Sequence, residues 1–285
     1  MVSALTQAFY DIDEDLRKDA SKPGDGGTTA IVVLISDERI YVPNVGDSRC
    51  ILVKRKTSQD KSGPLGWEAS QLEVVAMSED HKPDLPLERA RIESAGLSVQ
   101  TDVVPPDEND PGGEYTTVHR VKKSDREMLG VSRAFGDFDY KSNDELSASR
   151  QAVVCTPDIM VMGRSDGEDM YLVLACDGIW DVMTNEEAGA FVARRVAERM
   201  GWAGADGGGS LADGDTRVDV LARVGDDLLD ECLEKGSRDN LSVLIVALPA
   251  SGLLSSSSVS SSLGADASAA PAAADGTPVR ALAYE

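Results

Sequence analysis

Six runs of aliphatic and β-branched residues constrain the fold of this chain more than any other feature of its sequence. They are TAIVVLIS (29–36), RIYVPNV (39–45), CILVKR (50–55), LEVVAM (72–77), YLVLAC (171–176) and LSVLIVAL (241–248). Short runs of this composition, separated by turn residues, predict β-strands. Because most of them are apolar without clean alternation, we expect strands that are covered on both faces.

Helices are predicted around and between these strands. The first has apolar residues spaced by four, three and four positions, which gives one stripe of an amphipathic helix. Its stripe consists of Leu5, Phe9, Ile12 and Leu16. Further helices are predicted over 86–95, after the capping box formed by Thr184 and Glu187, and from about 216 to 235. Strands and helices in this order predict an α+β fold, in which antiparallel sheets are flanked by helices.

Two segments are expected to lie outside this framework. The acidic, proline-rich region 101–126 is interpreted as a surface insertion. The Ser- and Ala-rich end of the chain has few large apolar residues that could pack, so it is predicted to be disordered. The predicted organisation is one domain over 1–248, followed by a disordered tail over 249–285.

The net charge of the chain limits the classes of partner that it is expected to bind. Its 285 residues include 28 basic and 50 acidic side chains, a net charge of −22. Such a field repels phosphate backbones and anionic lipids, so we expect no nucleic-acid or membrane partner and favour cations. The 4 cysteines are far apart, without the spacing of a zinc site. We therefore expect reduced thiols and a monomeric protein of the cytoplasm, the nucleus or both.

Three aspartates stand where an apolar strand meets a turn. Asp177 follows YLVLAC, Asp239 precedes LSVLIVAL, and Asp80 follows LEVVAM. If the strands beside Asp177 and Asp239 are antiparallel neighbours, both carboxylates lie at one rim of the sheet, where Asp80 could join them. Oxygen ligands suit Mg²⁺ or Mn²⁺, and two such ions can activate a water for attack on a phosphoester. The alternative is that each aspartate is a turn residue, which is the commoner role for any one of them.

Six ordered motifs connect the sequence to a known family. They are GDGGTTAIVVLIS, NVGDSRCILV, EDHKPDLPLERARIESAG, LGVSRAFGDFDYK, YLVLACDGIWDVMTNEEA and KGSRDNLSVLIVAL. Over about 3–248 the chain resembles the metal-dependent protein serine/threonine phosphatases of type 2C. The resemblance implies a two-layer antiparallel β-sandwich and hydrolysis of phosphoserine and phosphothreonine in phosphoproteins by a metal-activated water. It also implies two Mg²⁺ or Mn²⁺ ions held by Asp177 and Asp239, with Asp80 matching a residue associated with a third, weaker ion.

Other residues in the matched motifs are interpreted as structural. Asp47 and Arg49 are expected to order a turn between two strands. Arg133 and Asp137 are expected to pair and support the site from behind. His81 is expected to orient its loop, and Trp180 to lie in the core.

The sequence departs from the family in one respect. The family's phosphate-binding arginine and its DGHGG motif, which supplies an aspartate that bridges both metals, are not among these residues. We therefore assign no catalytic residue, and we expect the chain to be N-terminally incomplete and its activity impaired. Three interpretations follow: a piece of a working phosphatase, a catalytically inactive phosphatase-like binding module, or an acidic cation-binding protein of another origin.

Overall fold

The computed structural model describes residues 1–19, 26–56, 71–105, 115–202, 217–253 and 279–281. Its helices are α1 (Val2–Lys18), α2 (Pro86–Ser94), α3 (Asp177–Trp180), α4 (Asn185–Arg199) and α5 (Arg217–Glu234). The first strands are β1 (Gly27–Thr28), β2 (Ala30–Ile31), β3 (Leu34–Ile35), β4 (Arg39–Val45), β5 (Arg49–Arg55), β6 (Leu72–Ala76) and β7 (Ser98–Val104). The remaining strands are β8 (Thr116–Lys122), β9 (Met128–Leu129), β10 (Phe135–Gly136), β11 (Asp158–Gly163), β12 (Asp169–Ala175), β13 (Val243–Ala247) and β14 (Val279–Ala281).

Two antiparallel sheets form the centre of the molecule. One has the strand order β13-β12-β5-β6, and the other has β14-β11-β4-β2 with β3 also paired to β4. One core cluster joins residues of both sheets: Ile40, Val42, Cys50, Leu52, Met162, Leu172 and Leu174. The predicted α+β fold with antiparallel sheets and flanking helices is confirmed.

The outer face of the first sheet is covered by α4 and α5. Val53 of β5 and Val173 of β12 pack there with Phe191, Val196 and Val224. Every residue of β12 is buried, which explains why its sequence does not alternate between apolar and polar side chains. Each fully buried aliphatic side chain of this kind contributes about 1.5–3 kcal/mol to stability. The capping box of Thr184 and Glu187 at the start of α4 is confirmed.

Helix α1 forms as predicted, but its buried face differs from the predicted stripe. Phe9 is buried against Phe135, whereas Ile12 and Leu16 are 47% and 38% exposed. The buried neighbour of Phe9 on this face is Asp13, whose carboxylate accepts bonds from Lys141 Nζ at 2.8 and 2.9 Å. A paired carboxylate can be buried, so the ion pair with Lys141 allows Asp13 to lie on the buried face of α1.

The region 101–126, predicted to be a surface insertion, consists largely of paired strands in the described residues. Strands β7 and β8 pair over seven residues each, from Ser98 opposite Lys122 to Val104 opposite Thr116, and β9 joins β8. The valines and threonines of both strands have high β-propensity, and this local preference decides the structure. Residues 106–114, between the two strands, lie outside the described residues.

The end of the chain is partly described. Residues Pro249–Ser251 form a 3₁₀ turn, and both Ser251 and Leu253 are buried, so the folded part extends beyond the predicted boundary at 248. Strand β14 pairs antiparallel with β11. The remainder of the predicted disordered tail, 254–278 and 282–285, lies outside the described residues. Within the described residues, no helix has the length and the apolar character that crossing a membrane requires.

Candidate metal centre

Strands β12 and β13 are adjacent and antiparallel, with Ala175 opposite Val243, which is the condition under which Asp177 and Asp239 were expected to share a rim. Beyond that pair the two chain segments stay in contact: the N–H of Cys176 donates to the carbonyl of Ser242 at 3.3 Å. The hydroxyl of Ser237 donates to the carbonyl of Gly178 at 2.7 Å. The chain after β12 and the chain before β13 therefore lie side by side at one end of the sheet.

Gly178 allows these two segments to approach closely. A Cβ atom at this position would lie 2.7 Å from the carbonyl oxygen of Asn240 and 3.3 Å from the Cβ atom of Asp239. The first of these distances is too short for any side chain. A glycine directly after Asp177 is thus required for Asp177 and Asp239 to lie near each other.

The Asp177 carboxyl lies in a negative environment. Burial raises its pKa, and the charges of Asp47, Asp239 and Asp181 raise it further. The pKa of Asp181 is raised in the same way, first by burial and then by neighbouring aspartates. We call this group the acidic rim and define it as Asp47, Asp80, Asp177, Asp181 and Asp239. Like charges gathered in this way destabilise one another unless they are protonated or bound to a cation.

Two members of the acidic rim were not among the predicted site residues. Asp181 stands four residues after Asp177 in the DGIWD segment, a spacing that puts both side chains on one face of a helical turn. Asp47 lies in the turn between β4 and β5, and the first residue of β5, Arg49, is opposite Ala175 of β12. That register brings the turn to the same rim. The i, i+4 spacing was a usable signal for Asp181, whereas Asp47 required the strand order.

Asp80, predicted to match a residue associated with a third, weaker ion, is paired with Arg49 in the structure. Both of its carboxylate oxygens accept bonds from the Arg49 guanidinium, each at 3.0 Å. Arg49 also donates to Asn185 at 2.7 Å and lies over the Trp180 ring, with 5.2 Å between the guanidinium carbon and the ring centroid. Because an arginine fork already satisfies this carboxylate, Asp80 lies at the rim as one half of an ion pair.

Lys82 brings a positive charge into the acidic rim. Its ammonium group donates a hydrogen bond to the Asp47 carboxylate. Burial works against the charged ammonium, but the bond to Asp47 and the charges of Asp47, Asp80 and Asp181 together raise the pKa of Lys82. The rim therefore contains an internal counter-ion.

Behind the rim lies a buried and fully paired set of charges, the Glu88 network. It consists of His81, Glu88, Arg91, Ser132, Arg133 and Asp158. Arg133 donates to Glu88 at 2.7 Å and to Asp158 at 2.9 Å. The expected pairing of Arg133 with Asp137 was wrong, because α2 and β11 both present carboxylates to this guanidinium. Burial opposes the charged form of Glu88, but the arginines outweigh it and lower the pKa of Glu88 to about 2.

His81 connects the Glu88 network to the turn that carries Asp47. Its Nδ1 accepts the N–H of Gly46 at 3.1 Å, so Nε2 carries the proton and donates to Asp158 at 3.1 Å. The main-chain N–H of His81 also donates to the carbonyl of Gly46 at 3.0 Å. The structure thus gives His81 the loop-orienting role expected of it.

The donor groups of the rim match a hard divalent cation. They are carboxylate oxygens, the ligands that Mg²⁺ and Mn²⁺ prefer. In the part of the chain that the structure describes, no three His, Cys, Asp or Glu side chains converge as closely as a metal ion requires. The rim therefore has the chemistry of a metal site, without a converged set of three such side chains among these residues.

Comparisons with known proteins connect the chain to one family. The family model for protein phosphatase 2C matches residues 1–241. Protein phosphatase 1A of Mus musculus is 34% identical over 260 residues, which cover 90% of this chain and 53% of that protein. Protein phosphatase ppm-1.A of Caenorhabditis elegans is 34% identical over 246 residues, covering 86% of this chain and 40% of that protein. The chain spans about half the length of the curated relatives it matches.

Solved structures share the fold. A serine-threonine phosphatase 2C from Toxoplasma gondii superposes with a TM-score of 0.55 and 21% identity, covering 87% of this chain and 67% of that one. A sex determining protein of C. elegans gives the same TM-score and identity, with 85% of this chain and 45% of that one covered. At this identity the likeness concerns the arrangement of strands and helices.

Proposed function

The chain belongs to the protein phosphatase 2C family, and on that premise we propose that it hydrolyses phosphoserine and phosphothreonine in phosphoproteins with the help of divalent cations. The observation that carries the proposal is the Asp177 carboxyl. It stands at the end of a buried strand. Burial raises its pKa, and the charges of Asp47, Asp239 and Asp181 raise it further. A protein maintains such repulsion at a cost in stability, and a bound cation removes that cost.

We propose Asp177 and Asp239 as the principal ligands, as the sequence predicts, with Asp47 and Asp181 beside them. Asp80, the third predicted ligand, supports the site through Arg49. Two Mg²⁺ or Mn²⁺ ions, with a weaker third, would supply Lewis-acid polarisation of the phosphoryl group and activation of water.

The chain's own residues orient these ligands. The indole N–H of Trp180 donates to the carbonyl of Ala175 at 2.9 Å and holds the turn that follows β12. One carboxylate oxygen of Asp177 accepts the N–H of Gly178 at 2.9 Å, and one of Asp239 accepts the N–H of Asn240 at 2.7 Å. In each aspartate the other oxygen has no bond of this kind in the described residues, so it is the oxygen available to a cation.

A phosphatase-like binding module is the second candidate. It is favoured by the lack of three converging metal donors among the described residues. On this alternative the chain would recognise a phosphoprotein without hydrolysing it. For the same reason we propose that any hydrolysis by residues 1–285 is slow.

In either case the proposed partner is a phosphorylated protein. We also propose that the protein is a monomer of the cytoplasm, the nucleus or both.

A Mn²⁺ titration of phosphopeptide hydrolysis by residues 1–285 separates the two candidates. We expect a slow rate that saturates with Mn²⁺ and falls at least about a hundredfold in Asp177→Asn. The matched control is Asp166→Asn, which makes the same chemical change at an exposed residue near the opposite end of β12, where Arg164 is its partner at 2.7 Å. Phosphopeptide binding without any Mn²⁺-dependent release of phosphate would reject the enzyme and support the binding module.

A further inference from the structure

The two central sheets end differently at their edges. In the sheet β13-β12-β5-β6, strand β13 has one neighbouring strand among the described residues, and its Leu244 side chain is 59% exposed. In the other sheet, β11 has a neighbour on each side: β4 over six residue pairs and β14 over three. Strand β14 follows residues 254–278 in the sequence and lies on what would otherwise be the edge of this sheet.

Strand β11 has the properties of an edge that accepts another strand. From Ile159 to Gly163 its sequence, IMVMG, contains no charged residue and no proline. Its register with β4 runs unbroken from Asp158 to Gly163, so no bulge turns it away from a new neighbour. Charges, prolines and bulges are the devices by which proteins commonly protect sheet edges. Strand β11 therefore offers a regular row of backbone donors and acceptors on the side away from β4.

Strand β14 covers only part of this row. Its residues pair with β11 from Ala281 opposite Ile159 to Val279 opposite Val161. The other residues of β11 pair with β4 alone. Because three residue pairs supply fewer hydrogen bonds than six, β14 is the more weakly held neighbour of β11.

The covalent connection favours β14 over a free peptide of the same sequence. Two segments of one chain meet at an effective concentration of the order of millimolar, without any additional contact. A peptide in solution must overcome this advantage, which it can do by pairing with more of β11 than β14 does. Extended peptides bind sheet edges in this way through their main-chain hydrogen bonds.

We infer that the edge of β11 is a β-strand addition site, that the chain's own residues 279–281 occupy it, and that an extended peptide enters it by displacing them. The partner of this site is a proline-free segment that pairs antiparallel with β11. The site uses none of the carboxylates of the acidic rim, so the inference does not depend on the proposed function. The measurements that test it involve neither phosphate nor metal, and their failure leaves that function untouched.

Hydrogen exchange followed by mass spectrometry tests whether β14 is the resident strand. The variant is Val279→Pro/Arg280→Pro. Neighbouring residues of a strand direct their N–H groups to opposite sides, so one of the two prolines removes a donor to β11 whichever residue faces it. We expect amides of 159–161 to exchange at least about tenfold faster in this variant than in the unchanged chain. The matched control, Ala272→Pro/Ala273→Pro, places two prolines in the same part of the chain outside β14. Equal exchange in the two variants overturns the inference.

Fluorescence anisotropy tests whether the site accepts a peptide in solution. The probe is a labelled synthetic peptide with the sequence of residues 276–285, GTPVRALAYE. An occupied site binds more weakly in proportion to the fraction of molecules in which it is free. We therefore expect Val279→Pro/Arg280→Pro to bind the probe at least about tenfold more tightly than the unchanged chain or the alanine-to-proline control. A probe that carries the same two prolines should not bind.

Hydrogen exchange of the variant with the probe bound locates the peptide. We expect slower exchange of amides in 159–161, because the probe replaces β14 on β11. Slower exchange at β13 instead would place the peptide on the other sheet and overturn the inference. The same conclusion follows if the variant binds the probe no more tightly than the unchanged chain.

Discussion

The acidic rim and the Glu88 network lie next to each other and shift the pKa values of Asp177 and Glu88 in opposite directions. In the network, arginines surround Glu88, and the pKa of that carboxyl falls to about 2. At the rim, burial and other aspartates raise the pKa of the Asp177 carboxyl. The first region stabilises its charges within the protein, whereas the second leaves negative charge that an external cation can neutralise.

The two regions meet in the segment Asp80-His81-Lys82. Asp80 and Lys82 face the rim, while the His81 ring is buried between Gly46 and Asp158. The Glu88 network therefore holds the backbone that carries part of the acidic rim. A buried ion pair often adds little net stability, and its best-supported use is to fix one arrangement of the chain. Here that arrangement keeps carboxylates close together against their repulsion.

The largest expected effect is the loss of stability in Glu88→Gln. This change leaves Arg91 and Arg133 buried without their shared carboxylate, which costs about 3–5 kcal/mol in comparable cases. Urea denaturation measures the free energy of unfolding. The matched control is Glu93→Gln on the same helix, where the partner Arg89 is 3.7 Å away and both groups are exposed, so we expect a change below about 0.5 kcal/mol. Similar values for the two variants would mean that the Glu88 network does not stabilise the fold.

A smaller effect is expected from pH. The pKa of Glu88 is lower in the folded chain, about 2 against an ordinary 4.5, so its stabilisation is complete above the unfolded pKa and is lost as the pH falls. The difference corresponds to about 3 kcal/mol, which should disappear between about pH 5 and pH 2. Urea denaturation across this range should show that part of the slope in the unchanged chain and not in Glu88→Gln. The Asp177 and Asp181 carboxyls act in the opposite direction, because their raised pKa values favour the folded chain on protonation.

How well a feature could be predicted from the sequence depends on how far apart along the chain the residues that form it lie. The strands predicted from apolar runs and the capping box at Thr184 depend on local composition, and the structure contains them. The expectation that Asp177 and Asp239 share a rim depended on one antiparallel pairing, which the structure also contains. The partners of Arg133 depend on α2 and β11, which are far apart in sequence, so the pairing with Asp137 was wrong. Asp47 was missed as a rim residue because its position depends on the order of strands in the sheet.

The connection between the two regions can be broken at His81. Replacing it by Phe removes the acceptor for Gly46 and the donor to Asp158, and we expect a loss of about 2 kcal/mol in the free energy of unfolding. His119→Phe is the control, because His119 lies on the surface hairpin, where Thr101 is its partner. We also expect weaker Mn²⁺ binding in His81→Phe, since Asp47 loses its support. Unchanged Mn²⁺ affinity in a destabilised variant would show that the network supports the fold and not the rim.

The smallest expected effect has the opposite sign. In Asp177→Asn one of the repelling charges disappears, while the amide oxygen can still accept the N–H of Gly178. Without divalent ions we therefore expect the variant to be more stable than the unchanged chain by up to about 1 kcal/mol. Saturating Mn²⁺ should raise the Tm of the unchanged chain more than that of the variant, because a ligand stabilises only the state that binds it. If Asp177→Asn is destabilised without metal, as expected for Glu88→Gln, the two regions do not differ in the way their pKa values indicate, and the carboxylates of the rim are structural.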